Sequence, residues 1–115
     1  MNCKANRKEI ADKALKFYDT RFFRALCEPV RVKIVRLIVQ RGPSDVAAIA
    51  SAFEQDRSVV SRHLQILKEA GILVSEKRGR QMIYEVDGPA ILRKLETLTE
   101  ETRKIVPYCC PGLTR

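Results

Sequence analysis

The 115 residues carry 22 Lys and Arg against 14 Asp and Glu, a net charge of +8, with 45% apolar and 31% charged residues. That length suits one modest domain, near the size at which association through an exposed face often helps. The apolar content excludes a disordered chain, and the absence of any apolar run of about eighteen residues excludes a membrane-spanning helix.

The basic excess favours a polyanion if it gathers on one face, so nucleic acid is the leading partner. Met1 to Lys8 is polar and basic with no apolar stretch behind it, so no secretory signal is visible. The expected setting is a soluble, cytoplasmic protein with no membrane partner.

From Arg7 to Leu26, Ile10, Ala14 and Phe17 recur at helical spacing beside Ala11, Leu15, Tyr18 and Phe22, which predicts one helix with a wide apolar stripe. Pro29 suits the first turn of a second helix, whose face of Val32, Val35, Ile38 and Val39 runs to Gly42 and Pro43. Ser44 is the expected N-cap of a short third helix that buries Val46, Ile49, Ala50 and Phe53. Asp56, whose carboxylate can accept from the free amides of the next turn, opens a fourth helix over 57–70, and Gly71 stops it. Val60, Leu64 and Leu67 fall on one face of this helix. Arg57, Ser58, Ser61, Arg62, Gln65 and Lys68 fall on the other, a face that needs water or a polar partner.

The period then changes to two. Ile72 and Val74, then Met82, Tyr84 and Val86, flank a basic tip at 77–81 and predict a hairpin. Asp87 and Pro89 open a last helix in which Ile91, Leu95, Leu98, Thr102 and Ile105 repeat at steps of four and three, a seam suited to another helix. Pro107 is expected to end it. The reading is mainly α with a small β-hairpin wing, in the order α-α-α-α-β-β-α. It is one domain over 1–115, with a core at 8–106 and a cysteine-bearing tail at 107–115.

Cys3, Cys27, Cys109 and Cys110 do not form the evenly spread framework of a secreted mini-protein and read as reduced thiols. The single histidine, His63, removes every site built from several imidazoles of one chain. Cys27 has apolar neighbours and is expected to pack as a small hydrophobe. Cys109 and Cys110 sit in a proline-bracketed tail with no evident core. Adjacent Cα atoms are only about 3.8 Å apart, below the ~4.4–6.8 Å of an ordinary disulfide. Chelation of a soft ion, or pairing with another cysteine, is easier than a ring between them.

A short helix, a turn, a polar-faced helix and a basic hairpin make the winged form of helix-turn-helix, which sets its second helix in the major groove. The run Val60-Ser61-Arg62-His63-Leu64, then Leu67, Glu69-Ala70-Gly71-Ile72-Leu73, and Gly79-Arg80 with Tyr84, resembles the ArsR/SmtB family of bacterial repressors. So does Ala25-Leu26-Cys27-Glu28-Pro29-Val30-Arg31, with Cys27 where a small residue is commoner. The resemblance covers residues 8 to 106. It implies a homodimer held by the first and last helices, here through Ile91, Leu95, Leu98 and Ile105, that binds double-stranded operator DNA and leaves it when an inducer binds. In that setting Arg57 and Arg62 offer forked donors to guanine edges or phosphates, Ser58 and Ser61 let the backbone approach, and Gln65 lies beside them. Arg78 and Arg80 on the wing meet the flanking backbone or minor groove.

The departures from the family pattern are specific. Asp56-Arg57-Ser58 stands where Ser-Gln-Pro is frequent, so no operator sequence carries over. The third-helix Cys-x-Cys and the zinc pairs of the last helix are missing, which removes metal sensing at those two places. The Cys109-Cys110 pair looks similar to the cysteines at the end of the last helix in some arsenic sensors of the family. Cys3, from the same or the partner chain, is the candidate third thiolate for trivalent arsenic. No obligatory cofactor is expected, and the inducer would be arsenite or another thiophilic ion. The alternative keeps the DNA-binding repressor but has oxidants or persulfides join Cys27 to Cys109 or Cys110. A thiol oxidoreductase or metal carrier using Cys109-Cys110 is a reading of another class, and adjacent cysteines lack the spacing that activates a Cys-x-x-Cys thiol. An architectural DNA binder with no inducer is the third. The expectation is a protein that is not an enzyme.

Overall fold

A computed structural model of the chain describes residues 3–109 and 112, with side chains from residue 6 onward. Its elements are α1 (Cys3–Leu15), α2 (Thr20–Leu26), α3 (Pro29–Arg41), β1 (Ser44–Asp45), α4 (Val46–Ala50), α5 (Arg57–Glu69), β2 (Leu73–Arg78), β3 (Gln81–Val86) and α6 (Gly88–Cys109). They fall into two compact units, one of Thr20–Ile91 and the other of Met1–Asp19 with Leu92–Arg115.

The Thr20–Ile91 unit holds the winged helix-turn-helix. Its core gathers Phe22, Ala25, Ile34, Ile38, Ile49, Val60, Leu64, Leu67, Ile72, Leu73 and Tyr84, with Val46, Phe53, Met82 and Val86 packed around it. The sheet is antiparallel in the order β1-β3-β2, with Ser75 opposite Tyr84 and Leu73 opposite Val86. The two-residue β1 adds a third strand, pairing Ser44 with Tyr84 and Asp45 with Ile83. A strand this short has no period to read, and it went unseen in the sequence.

Several expectations need correction. The single helix over 7–26 is broken at residues 16–19. There the Phe17 and Tyr18 amides donate back to the Ala14 and Leu15 carbonyls, tightening the last turn of α1. Tyr18 then bonds the Thr102 hydroxyl, and Asp19 pairs with Lys94 at 2.9 Å, so the connection is latched to α6. On α3 the buried residues are Ile34 and Ile38, whereas Val32 and Val39 are exposed, Val39 by 66%. On β2 the inward phase is Leu73 and Ser75, leaving Val74 outside, although Met82, Tyr84 and Val86 do face the core side. The N-cap of α4 is Asp45, not Ser44: its Oδ1 accepts from the Ala48 amide at 2.8 Å, while the Ser44 hydroxyl donates to the Gly42 carbonyl. The helix closes at Ala50 rather than reaching Phe53. Pro107 lies inside α6, which continues to Cys109.

Other local expectations hold. Pro29 opens α3 behind Glu28, whose carboxylate accepts from the Val30 amide, and the Asp87 carboxylate accepts from Ala90 at the start of α6. Gly71 adopts φ 79°, the left-handed turn that glycine enters without steric cost. Around it Ile72 donates to the Leu67 carbonyl and Gly71 to Lys68, the paired bonds of a Schellman stop.

Candidate nucleic-acid interface

The site is built on α5. Val60, Leu64 and Leu67 are fully buried, and these three anchors fix the rotation of the helix. With that rotation fixed, Arg57, Ser58, Ser61, Arg62, Gln65 and Lys68 all stand exposed on the outer side. Asp56 precedes the helix as its N-cap residue, but its carboxylate makes no capping bond; its backbone carbonyl accepts from Val59 and Val60 instead. The expected side-chain cap is therefore absent. Gln65 Nε2 donates to Glu69 Oε1 at 3.1 Å, one turn further on.

The wing tip turns at Gly79, φ 63°, which leaves Arg78 and Arg80 exposed on either side. Arg78 pairs with Glu76 at 3.3 Å. An exposed pair of this kind is worth about 0–1 kcal/mol, so a phosphate could compete for the guanidinium.

Two connections that the sequence reading missed hold this face together. Asp45, besides capping α4 through Oδ1, accepts from Gln81 Nε2 through Oδ2 at 2.8 Å. One carboxylate thus ties the first residue of β3, the wing's return strand, to the first helix of the helix-turn-helix. Arg31 is the other. Its Nε donates to the Ala25 carbonyl at 2.7 Å and its NH2 to the Arg24 carbonyl at 3.0 Å, while its NH1 lies 3.4 Å from His63 Nδ1 on α5. A guanidinium only donates, so in this contact Nδ1 can act only as the acceptor, a role the neutral imidazole can fill. Burial, first, and the Arg31 charge, second, lower the pKa of His63; Glu28 opposes them and Arg62 adds to the lowering. A capping pattern around Asp45 could have been found from its spacing to Ala48, but nothing local in the sequence brings residue 31 to residue 63.

The cysteines are placed differently from expectation. Cys27, in the link between α2 and α3, is exposed rather than packed as a small hydrophobe, and Cys109 at the end of α6 is exposed too. Cys110 and the side chain of Cys3 lie outside the described residues, so the expected three-thiolate set falls largely beyond them. Among the described residues no group of three or more His, Cys, Asp or Glu side chains is placed to hold a metal ion. Of the seam residues, Leu98 is buried and Ile91 and Ile105 are partly so, while Leu95 is 47% exposed and its neighbour Leu92 is 57% exposed. No helix of the described residues is long and apolar enough to cross a membrane.

Residues 28–75, from α3 through α5 into β2, match the family model for bacterial regulatory proteins of the arsR family. The chain is 32% identical over 74 residues to an uncharacterised HTH-type transcriptional regulator of Mycobacterium tuberculosis, covering 64% of this chain and 65% of that protein. It is 33% identical over 64 residues to the arsenical resistance operon repressor of Escherichia coli, covering 56% of this chain and 55% of the repressor. The matched stretch is thus under two thirds of the length of either curated relative. A possible transcriptional regulatory protein of Mycobacterium bovis, fragment 1-100, is similar in crystal form, with 30% identity, a TM-score of 0.59 and coverage of 73% of this chain and 88% of that one. Its solution structure, a homodimeric winged helix-turn-helix DNA-binding domain, gives 25% identity and a TM-score of 0.62, covering 87% and 92%.

Proposed function

The chain belongs to the bacterial ArsR family of regulatory proteins, and from that premise we propose that it is a cytoplasmic, homodimeric, non-enzymatic repressor that binds double-stranded operator DNA through α5 and the wing. The observation that carries this reading is the outer face of α5, where Arg57, Ser58, Ser61, Arg62 and Gln65 stand exposed above three fully buried anchors. Such a face has hydrogen-bonding capacity and little to bury, which suits base edges and phosphates. Arg78 and Arg80 supply backbone contacts beside it. Leu95, exposed on α6, joins Ile91, Leu98 and Ile105 in the seam between protomers, in keeping with the homodimeric Mycobacterium bovis structure. Selection of bound duplexes from a random pool tests the reading: the retained sequences should share a two-fold symmetric motif with half-sites about one helical turn apart. Retention without any shared motif would refute it.

The inducer on this reading is trivalent arsenic or another thiophilic ion, held by Cys109 and Cys110 with Cys3 as third thiolate. Its support is the arsenical repressor among the relatives and the soft-ion preference of thiolates. The exposure of Cys27 favours a second reading. There an oxidant takes two electrons and two protons from Cys27 and Cys109 or Cys110, joining them as a disulfide, and the oxidised protein leaves DNA.

A further inference from the structure

Arg31 stands in the first turn of α3, just after Pro29 and Val30, and its guanidinium turns back over the link to α2. Nε donates to the Ala25 carbonyl at 2.7 Å and NH2 to the Arg24 carbonyl at 3.0 Å. Both carbonyls belong to the last turn of α2, where a helix runs out of its own donors and a cation is favoured. Two bonds to backbone fix the plane of a rigid guanidinium, so the direction of its third nitrogen is fixed with them. That nitrogen, NH1, lies 3.4 Å from His63 Nδ1 on α5.

The consequence falls on the imidazole. A neutral ring carries its proton on one nitrogen or the other, and a donor facing Nδ1 leaves that proton to Nε2. Burial and the Arg31 charge hold the pKa of His63 below its usual value, with Arg62 adding to them and Glu28 opposing, so the neutral ring predominates near neutral pH. Nε2 has no hydrogen-bond partner among the described residues, yet it is not one of their buried unpaired atoms. It is therefore open to water. His63 is half-buried, one residue from the exposed Arg62 and one from the buried Leu64, which sets it on the flank of α5. On a helix lying in a groove, flank positions face the groove wall, where phosphates rather than base edges stand.

We propose that Arg31 is a positioning residue for DNA binding: by donating to Nδ1 it keeps the proton of the neutral His63 ring on Nε2, and this uncharged N–H donates to a phosphate at the edge of the α5 footprint. The contact presupposes the repressor reading and differs in kind from those of the arginines. Lys and Arg on phosphates displace counterions, so what they contribute falls with salt. A neutral donor displaces none, and its contribution stays. Arg31 itself has all three nitrogens engaged within the protein.

The probes are a selected operator duplex and an unrelated duplex, followed by fluorescence anisotropy well above the usual histidine pKa of ~6.5. His63→Ala should weaken both by about tenfold or more, the loss of a hydrogen bond to a charged group, and leave the salt slope unchanged. His63→Gln, whose amide can donate from near the position of Nε2, should recover part of that loss. Arg31→Gln should cost about as much in the unmutated protein and little further in His63→Ala, because its effect passes through the ring. A role confined to the end of α2 would give additive losses. If Arg31→Gln does not fold, Arg31→Lys, which keeps the charge beside α2 but loses the fork, carries the same comparison. Isotope-edited NMR of the ring nitrogens in the DNA-free protein should show Nδ1 unprotonated and Nε2 protonated. A proton on Nδ1, additive losses, or a salt slope flattened by about one unit in His63→Ala would each overturn the assignment. Failure of the unmutated protein to bind any duplex is a different result: it refutes the repressor reading and takes the phosphate contact with it.

Discussion

Arg62 projects from the exposed side of α5, midway in sequence between the buried anchors Val60 and Leu64. Arg62→Ala should therefore leave the fold intact and weaken binding to a selected operator by about 1–3 kcal/mol, read by fluorescence anisotropy, as expected for loss of a base contact. Arg80→Ala should act differently, weakening all duplexes alike and flattening the salt slope by about one unit. His63 gives a pH prediction. Its folded pKa lies below the usual 6.5, so the unfolded chain takes up the proton first, and stability should fall as pH drops from above 6.5 through the folded value. Urea unfolding across that range should show a smaller loss for His63→Gln; an unchanged profile would remove the imidazole as the cause. The outer residues of α5 were legible in the sequence because a helix of known phase sorts its side chains by period alone. Arg31 was not, because its partners at Arg24, Ala25 and His63 depend on how three helices meet.

Elements were legible where periodicity and punctuation agree. Pro29, Gly71 and Asp87 marked real boundaries. Periodicity failed at the α1–α2 break, since Ala14 and Phe22 are both buried on either side of it and their spacing stays compatible with one helix. It failed again for Val32, Val39 and Val74, which are exposed, while Ile34 and Leu73 took the core beside the expected Ile38. On α6, the exposed Leu95 belongs to the proposed seam, and Leu95→Glu should yield monomer or aggregate by sedimentation. A dimer that survives this substitution would move the interface elsewhere.

For the whole molecule, charge and fold class were visible in composition and element order, whereas the sensor was not. A +8 chain that neutralises phosphates must release counterions, so affinity should fall steeply with salt. Arsenite or phenylarsine oxide should release the protein from its operator, and Cys109→Ser or Cys110→Ser should abolish that response without lowering DNA affinity. Continued release from the double serine variant would take the tail out of the mechanism. If Cys27→Ser alone abolishes a response to oxidant while arsenite does nothing, the disulfide chemistry takes its place, a division sharpened by the exposure of Cys27. The reason the sequence left this open is physical. On the proposed reading, sensing depends on which thiols meet in space, and Cys3, Cys27 and the adjacent Cys109-Cys110 pair permit several meetings.

The carboxylate of Asp45, shared between the Ala48 amide and the Gln81 side chain, also bears on how such proteins could be recombined. A chimera that transplants the wing of another family member onto this scaffold, to redirect DNA choice, carries position 81 with the graft but leaves position 45 in the host. If the donor wing brings an apolar residue to 81, Asp45 keeps its helix cap and loses its second partner, and the graft is held only by the sheet ladder and by whatever core contacts its own strands make. Grafts that move both positions together should inherit the donor wing's orientation, and grafts that split them should not. Residues 36 apart in the chain would then behave as one heritable unit.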